Sequence, residues 1–113
     1  MQYINQRNIK IIDELINFCY SQDSNHVSID IKTEDRKTTF TIKTTIHNLS
    51  KSVLDDLERL LNCPRCHEME ECYWELGGND DMDCKLSLIG MMIDSAIICY
   101  DNPYLTITLT RTI

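Results

Sequence analysis

Leu105-Thr106-Ile107-Thr108-Leu109-Thr110, residues 105–110, alternates apolar and β-branched polar side chains without a break. Successive strand side chains point to opposite faces, so this stretch predicts a half-buried strand with one apolar and one threonine face. Asp101-Asn102-Pro103 just before it reads as a turn, and Ala96, Ile98 and Tyr100 keep the same period ahead of that turn, which together predict a closing hairpin. The alternation occurs earlier as well. Val27, Ile29 and Ile31 alternate with Ser28, Asp30 and Lys32, and Phe40, Ile42 and Ile46 alternate with Thr39, Thr41, Lys43 and Thr45. Glu34 to Lys37 is expected to be the loop between them.

Outside the hairpins the period becomes helical. From Tyr3 to about Ser21 the apolar residues Ile4, Ile11, Ile12, Leu15, Ile16, Phe18 and Cys19 form one broad stripe among polar residues. Ser50 precedes Val53, Leu54, Leu57, Leu60 and Leu61 and is placed to cap a second helix, which Pro64 stops near Asn62. Glu68 to Leu76 reads as a short helical turn closed by Gly77-Gly78. Asn79, Asp80 and Asp81 then read as the cap of a third helix, roughly Met82 to Ile93. The order is helix, two strands, helix, irregular segment, helix, two strands. It predicts an α+β fold, a two-layer α/β sandwich with one mainly antiparallel sheet of about four strands and three helices on one face. No repeat or linker interrupts it, so residues 1–113 read as a single domain.

Composition narrows the function. With 42% hydrophobic and 26% charged residues, three Gly and two Pro, the chain reads as a folded globular domain. Its formal charge of −7 repels nucleic-acid phosphates and anionic lipid, so neither is an expected partner. The longest apolar stretch, Leu86 to Tyr100, is broken by Asp94 and falls short of a membrane span. MQYINQRNIK shows no basic start followed by an apolar run, so the expected compartment is the cytoplasm.

In that compartment the six cysteines are expected to be thiols. Cys19 and Cys99 fall inside apolar periodic segments and are expected in the core. Cys63, Cys66, Cys72 and Cys84 cluster within one stretch. Cys63-Pro64-Arg65-Cys66 is the usual zinc half-site, because its turn points two sulfurs at one ion. A tetrahedral site would need two further ligands from His67, Cys72 and Cys84, whose spacing is irregular; the alternative is ordinary free thiols. Cys-x-x-Cys-His also matches covalent haem attachment, which needs export. The adjacent Cys66-His67 offers a nucleophile beside a base, but sequence neighbours on an extended segment point apart. Asp55-Asp56 and Asp80-Asp81 read as solvated surface acids, and His26 and His47 as solvent-facing residues near strand ends.

The element order resembles the ATP-binding domain of sensor histidine kinases and anti-sigma-factor kinases, the Bergerat fold. Asp13-Glu14-Leu15-Ile16-Asn17 falls where that family carries its magnesium-holding box, with Asn17 matching the key amide. The adenine-reading Asp-Asn-Gly-x-Gly box would fall at Thr44-Thr45-Ile46-His47-Asn48, where the Asp and both Gly are absent. The phosphate-wrapping glycines are likewise missing from Cys84-Lys85-Leu86-Ser87-Leu88-Ile89. Without the carboxylate, the exocyclic amine of adenine loses its acceptor, and side chains occupy space where backbone must approach phosphate.

The resemblance therefore implies a degenerate nucleotide site and no ATP or magnesium cofactor. The expected function is a non-catalytic regulatory or protein-interaction module, binding a protein partner or a second copy of itself through Asn62 to Asp83 and the helix face beside it. The alternatives are a diverged ATP-binding or phosphotransfer protein using Asn17 and the pocket beside Thr44, and a small zinc-stabilised binding domain.

Overall fold

A computed structural model describes residues 2–62, 86, 87 and 89–112. Helix α1 runs Gln2–Ser21, strand β1 Val27–Glu34, strand β2 Lys37–Thr45, helix α2 Lys51–Leu61, strand β3 Ser95–Asp101 and strand β4 Tyr104–Thr112. Leu86, Ser87, Ile89 and Gly90 are helical, in the expected third helix. The expected helical turn at 68–76, its Gly77-Gly78 end and the cap at 79–81 lie outside the described residues.

The four strands form one antiparallel sheet in the order β1-β2-β4-β3. Each hairpin contributes one central strand, β2 or β4, and one edge strand, β1 or β3. The helices pack on one face, as the single apolar face of the strands requires. The inward residues of β2 and β4, Phe40, Ile42, Leu105, Ile107 and Leu109, are wholly buried. Ile11, Leu15 and Phe18 of α1 and Leu57, Leu60 and Leu61 of α2 close over them, joined by Leu86, Ile89, Met92 and Ile93. Each large aliphatic side chain so buried contributes about 1.5–3 kcal/mol of transfer free energy.

Local chemistry sets the element ends. The Ser50 hydroxyl accepts the Val53 N–H at 3.2 Å, capping α2, and Asn62 ends it by donating its N–H to the Glu58 carbonyl. The β1–β2 connection is tighter than the Glu34 to Lys37 loop of the sequence reading. Glu34 pairs with Lys37, and only Asp35 and Arg36 turn the chain, at φ 51° and 64°. Two positive φ values are the signature of a type I′ turn, whose twist matches that of the strands. The Asn102-Pro103 bond in the β3–β4 turn is cis.

Gly90 allows the third helix to touch α2. A Cβ there would collide with the Leu60 carbonyl oxygen and lie 3.2 Å from the Leu61 Cα. Two polar side chains at inward positions of the sheet find partners there. Thr38 shares a hydrogen bond with Thr33 at 3.0 Å, and the Arg111 guanidinium, 2% exposed, donates to the Met92 carbonyl at 2.6 Å.

Candidate functional site

The two residues matched to a nucleotide pocket lie in different settings. Asn17 is exposed on α1, whereas Thr44 points inward from β2 and is buried. The Thr44 hydroxyl lies 2.5 Å from that of Ser24, and the Ser24 hydroxyl donates to the His26 carbonyl at 3.0 Å. Cys19 hydrogen-bonds Thr44; burial raises its thiol above the ordinary range and this bond offsets part of that rise. The Cys19, Thr44 and Ser24 side chains meet where the end of α1 packs against the sheet.

The turn after β2, where an adenine-reading box would lie, is held by the opposite hairpin. The Tyr100 hydroxyl donates to the Ile46 carbonyl at 2.8 Å and accepts the Leu49 N–H at 2.9 Å. Asn48, at φ 56°, and Asn102 exchange two bonds of 3.1 Å, one through the Asn48 backbone N–H and one between the side chains. The sequence pattern identified both turns and missed this clasp, because nothing in residue spacing shows that two loops 54 positions apart exchange hydrogen bonds.

Cys63, Cys66, His67, Cys72 and Cys84 lie outside the described residues, as does most of the Asn62 to Asp83 segment expected to contact a partner. Among the described residues, no group of three or more His, Cys, Asp or Glu side chains gathers to hold a metal ion. No helix among them is long and apolar enough to cross a membrane. His26 and His47 are exposed. Between the end of α1 and α2 lies a cleft of about 250 Å³, lined by Phe18, Gln22, Val53, Asp56, Leu57 and Leu86.

The sheet's outer face offers a more defined surface. It carries Thr39, Thr41, Thr106, Thr108 and Thr110, and at its β3 side this polar surface gives way to apolar groups. Ile97 is 60% exposed and Cys99 is exposed; Tyr104, opposite Asp101 at the hairpin end, is 65% exposed. Cys99 is thus not in the core as its apolar neighbourhood suggested. Ala96, Ile98 and Tyr100 take the inward phase of β3, so Ile97 and Cys99 face out. Two apolar residues in the outward phase of a strand were the available sign of a contact surface.

Comparison with known protein families, curated proteins and solved structures finds no match.

The hydrogen-bond phase of the sheet shows which β3 backbone groups point away from β4. The Ile46 N–H donates to the Pro103 carbonyl at 2.7 Å, so odd-numbered residues of β4 bond to β2. Antiparallel backbones alternate the side to which they bond, and the even-numbered residues of β4 face β3. These pair with Ser95, Ile97, Cys99 and Asp101. Ala96, Ile98 and Tyr100 consequently aim their N–H and C=O groups out of the sheet, and no group among the described residues bonds to them. Seven residues long, β3 has no lysine, no proline and only one charge, Asp101 at its end. Edge strands without such features pair readily with another strand.

Proposed function

We propose that this chain is a non-catalytic regulatory or protein-interaction module that captures an extended segment of a partner protein by strand addition along β3. The single observation that carries this reading is the combination on one strand of outward-aimed backbone groups at Ala96, Ile98 and Tyr100, unbonded among the described residues, with the outward Ile97 and Cys99. Backbone groups supply affinity in such a mode, and alternate side-chain contacts supply selectivity. Ile97 and Cys99, two positions apart on the outer face, offer contacts for every second side chain of the incoming strand.

The scaffold of a histidine-kinase-like ATPase with a lost nucleotide site remains part of the proposal. The clasp of Tyr100 and Asn102 on the turn after β2 supports it, because backbone groups there are already engaged. Exposed Asn17 and buried, hydrogen-bonded Thr44 also favour interaction over nucleotide binding.

The test is a titration of the protein with a panel of octapeptides of alternating apolar and polar residues, run beside Mg–ATP. Peptide binding that is lost in Ile97→Glu supports the reading. A Mg–ATP-dependent rise in melting temperature with no peptide binding overturns it and restores the nucleotide-binding alternative.

A further inference from the structure

The opposite edge of the sheet has different chemistry. The Thr45 N–H donates to the His26 carbonyl at 3.2 Å, so even-numbered residues of β1 bond to β2. Val27, Ile29, Ile31 and Thr33 therefore aim their backbone groups outward. Asp30, Lys32 and Glu34 lie in the outer-face phase of the strand, and Ile31, on the helix side, is 48% exposed.

We propose that two copies of the chain join through this edge, β1 pairing antiparallel with its symmetry mate about Ile31, so that two four-stranded sheets become one continuous sheet. The charge pattern selects this register. A two-fold pairing must oppose the outward-aimed residues with one another, and the four centres from Ile29 to Lys32 keep the overlap at the middle of the strand. Centring on Asp30 sets Asp30 against itself, and centring on Lys32 sets Lys32 against itself and Asp30 against Glu34. Centring on Ile29 opposes Asp30 to Ser28 and leaves the charges without cross-strand partners.

Centring on Ile31 opposes Asp30 to Lys32 of the second copy, twice by symmetry. It also sets Glu34 of the second copy opposite Ser28, whose neighbour across β2 is Lys43. These contacts fall at non-hydrogen-bonded pairs, where facing side chains approach most closely. On the other face the exposed Ile31 meets its own mate on the two-fold axis, removing apolar surface from water. Three backbone pairs form, Ile29 with Thr33, Ile31 with Ile31 and Thr33 with Ile29. Lysine on an edge can instead serve to repel strands, so the proposal stands on the pairing of opposite charges and not on the outward-aimed backbone alone. It involves the edge furthest from β3 and does not depend on what docks there.

The test is sedimentation equilibrium of the full chain and of two charge variants. Wild type is expected to dimerise; Asp30→Lys and Lys32→Asp, each placing like charges opposite, are each expected to weaken dimerisation at least about tenfold. Mixing the two variants restores the dimer, because positions 30 and 32 are both basic in the Asp30→Lys copy and both acidic in the Lys32→Asp copy, so opposite charges face each other at both contacts. The double variant D30K/K32D also restores it. Unchanged melting temperatures of the diluted variants separate this effect from loss of fold. A wild-type chain that stays monomeric up to about 1 mM, or a dimer indifferent to both substitutions, overturns the proposal.

Discussion

Tyr100 and Ile46 lie 54 residues apart, yet the tyrosine hydroxyl donates to the Ile46 carbonyl across 2.8 Å, tying the β3–β4 hairpin to the turn that leads into α2. The same oxygen accepts the Leu49 N–H, so one side chain satisfies two backbone groups that no ladder reaches. It thereby fixes where β3 sits relative to the N-terminal half of the sheet.

Tyr100→Phe removes the hydroxyl and leaves both backbone groups without it. The expected loss is about 1–3 kcal/mol, the penalty for partly buried polar groups left unpaired. Urea unfolding measures it, and an unchanged midpoint would show that water replaces the phenol at no cost.

Gly90→Ala places a methyl group against the Leu60 carbonyl oxygen, which is backbone and cannot rotate away. The third helix and α2 must separate, at a cost of about 1–3 kcal/mol, the usual range for overpacking. A melting temperature equal to that of wild type would contradict so close an approach of the two helices.

Arg36→Gly is expected to stabilise the fold by about 0.5–1 kcal/mol, because φ 64° costs a side-chain-bearing residue more than glycine and the Asp-Gly pair suits a type I′ turn. Thermal unfolding at neutral pH measures the gain. A destabilised variant would mean that the arginine side chain contributes more than its backbone costs.

Much of the fold was legible because the strand alternation at 27–32 and 105–110 is strict and the helical stripes are broad. Ser50 and Pro64 marked the limits of α2 through the backbone chemistry of helix ends. What spacing does not encode is the polar traffic inside the domain. Thr44 and Arg111 occupy inward positions that a hydrophobic pattern reserves for apolar residues, and only tertiary partners, Ser24 and the Met92 carbonyl, explain their burial. The phase of Cys99 was readable from Ala96, Ile98 and Tyr100; its apolar neighbours concealed it. The edge surfaces followed from strand order, which periodicity leaves open.

Cys19 and Cys99 should differ sharply in reactivity. Cys19 is buried with a thiol pushed above its ordinary value of 9.0, while Cys99 is exposed. Iodoacetamide labelling resolved by peptide mass spectrometry is expected to modify Cys99 first, since the thiolate is the nucleophile. A folded-state pKa above the unfolded one contributes stability below the ordinary thiol value and loses it as pH rises through the folded value. The wild-type urea midpoint should therefore fall above about pH 9 more steeply than that of Cys19→Val. Parallel curves would remove the thiol from the pH response.

The docking role of β3 is tested most directly by amide hydrogen exchange, read residue by residue, in the free protein and in the protein saturated with a binding octapeptide. Outward N–H groups in the free chain should make Ala96, Ile98 and Tyr100 exchange fast, while Ile97 and Cys99 exchange slowly within the ladder. Strand addition then predicts selective slowing at Ala96, Ile98 and Tyr100. Protection appearing instead around the α1–α2 cleft, with these three amides unchanged, would contradict it.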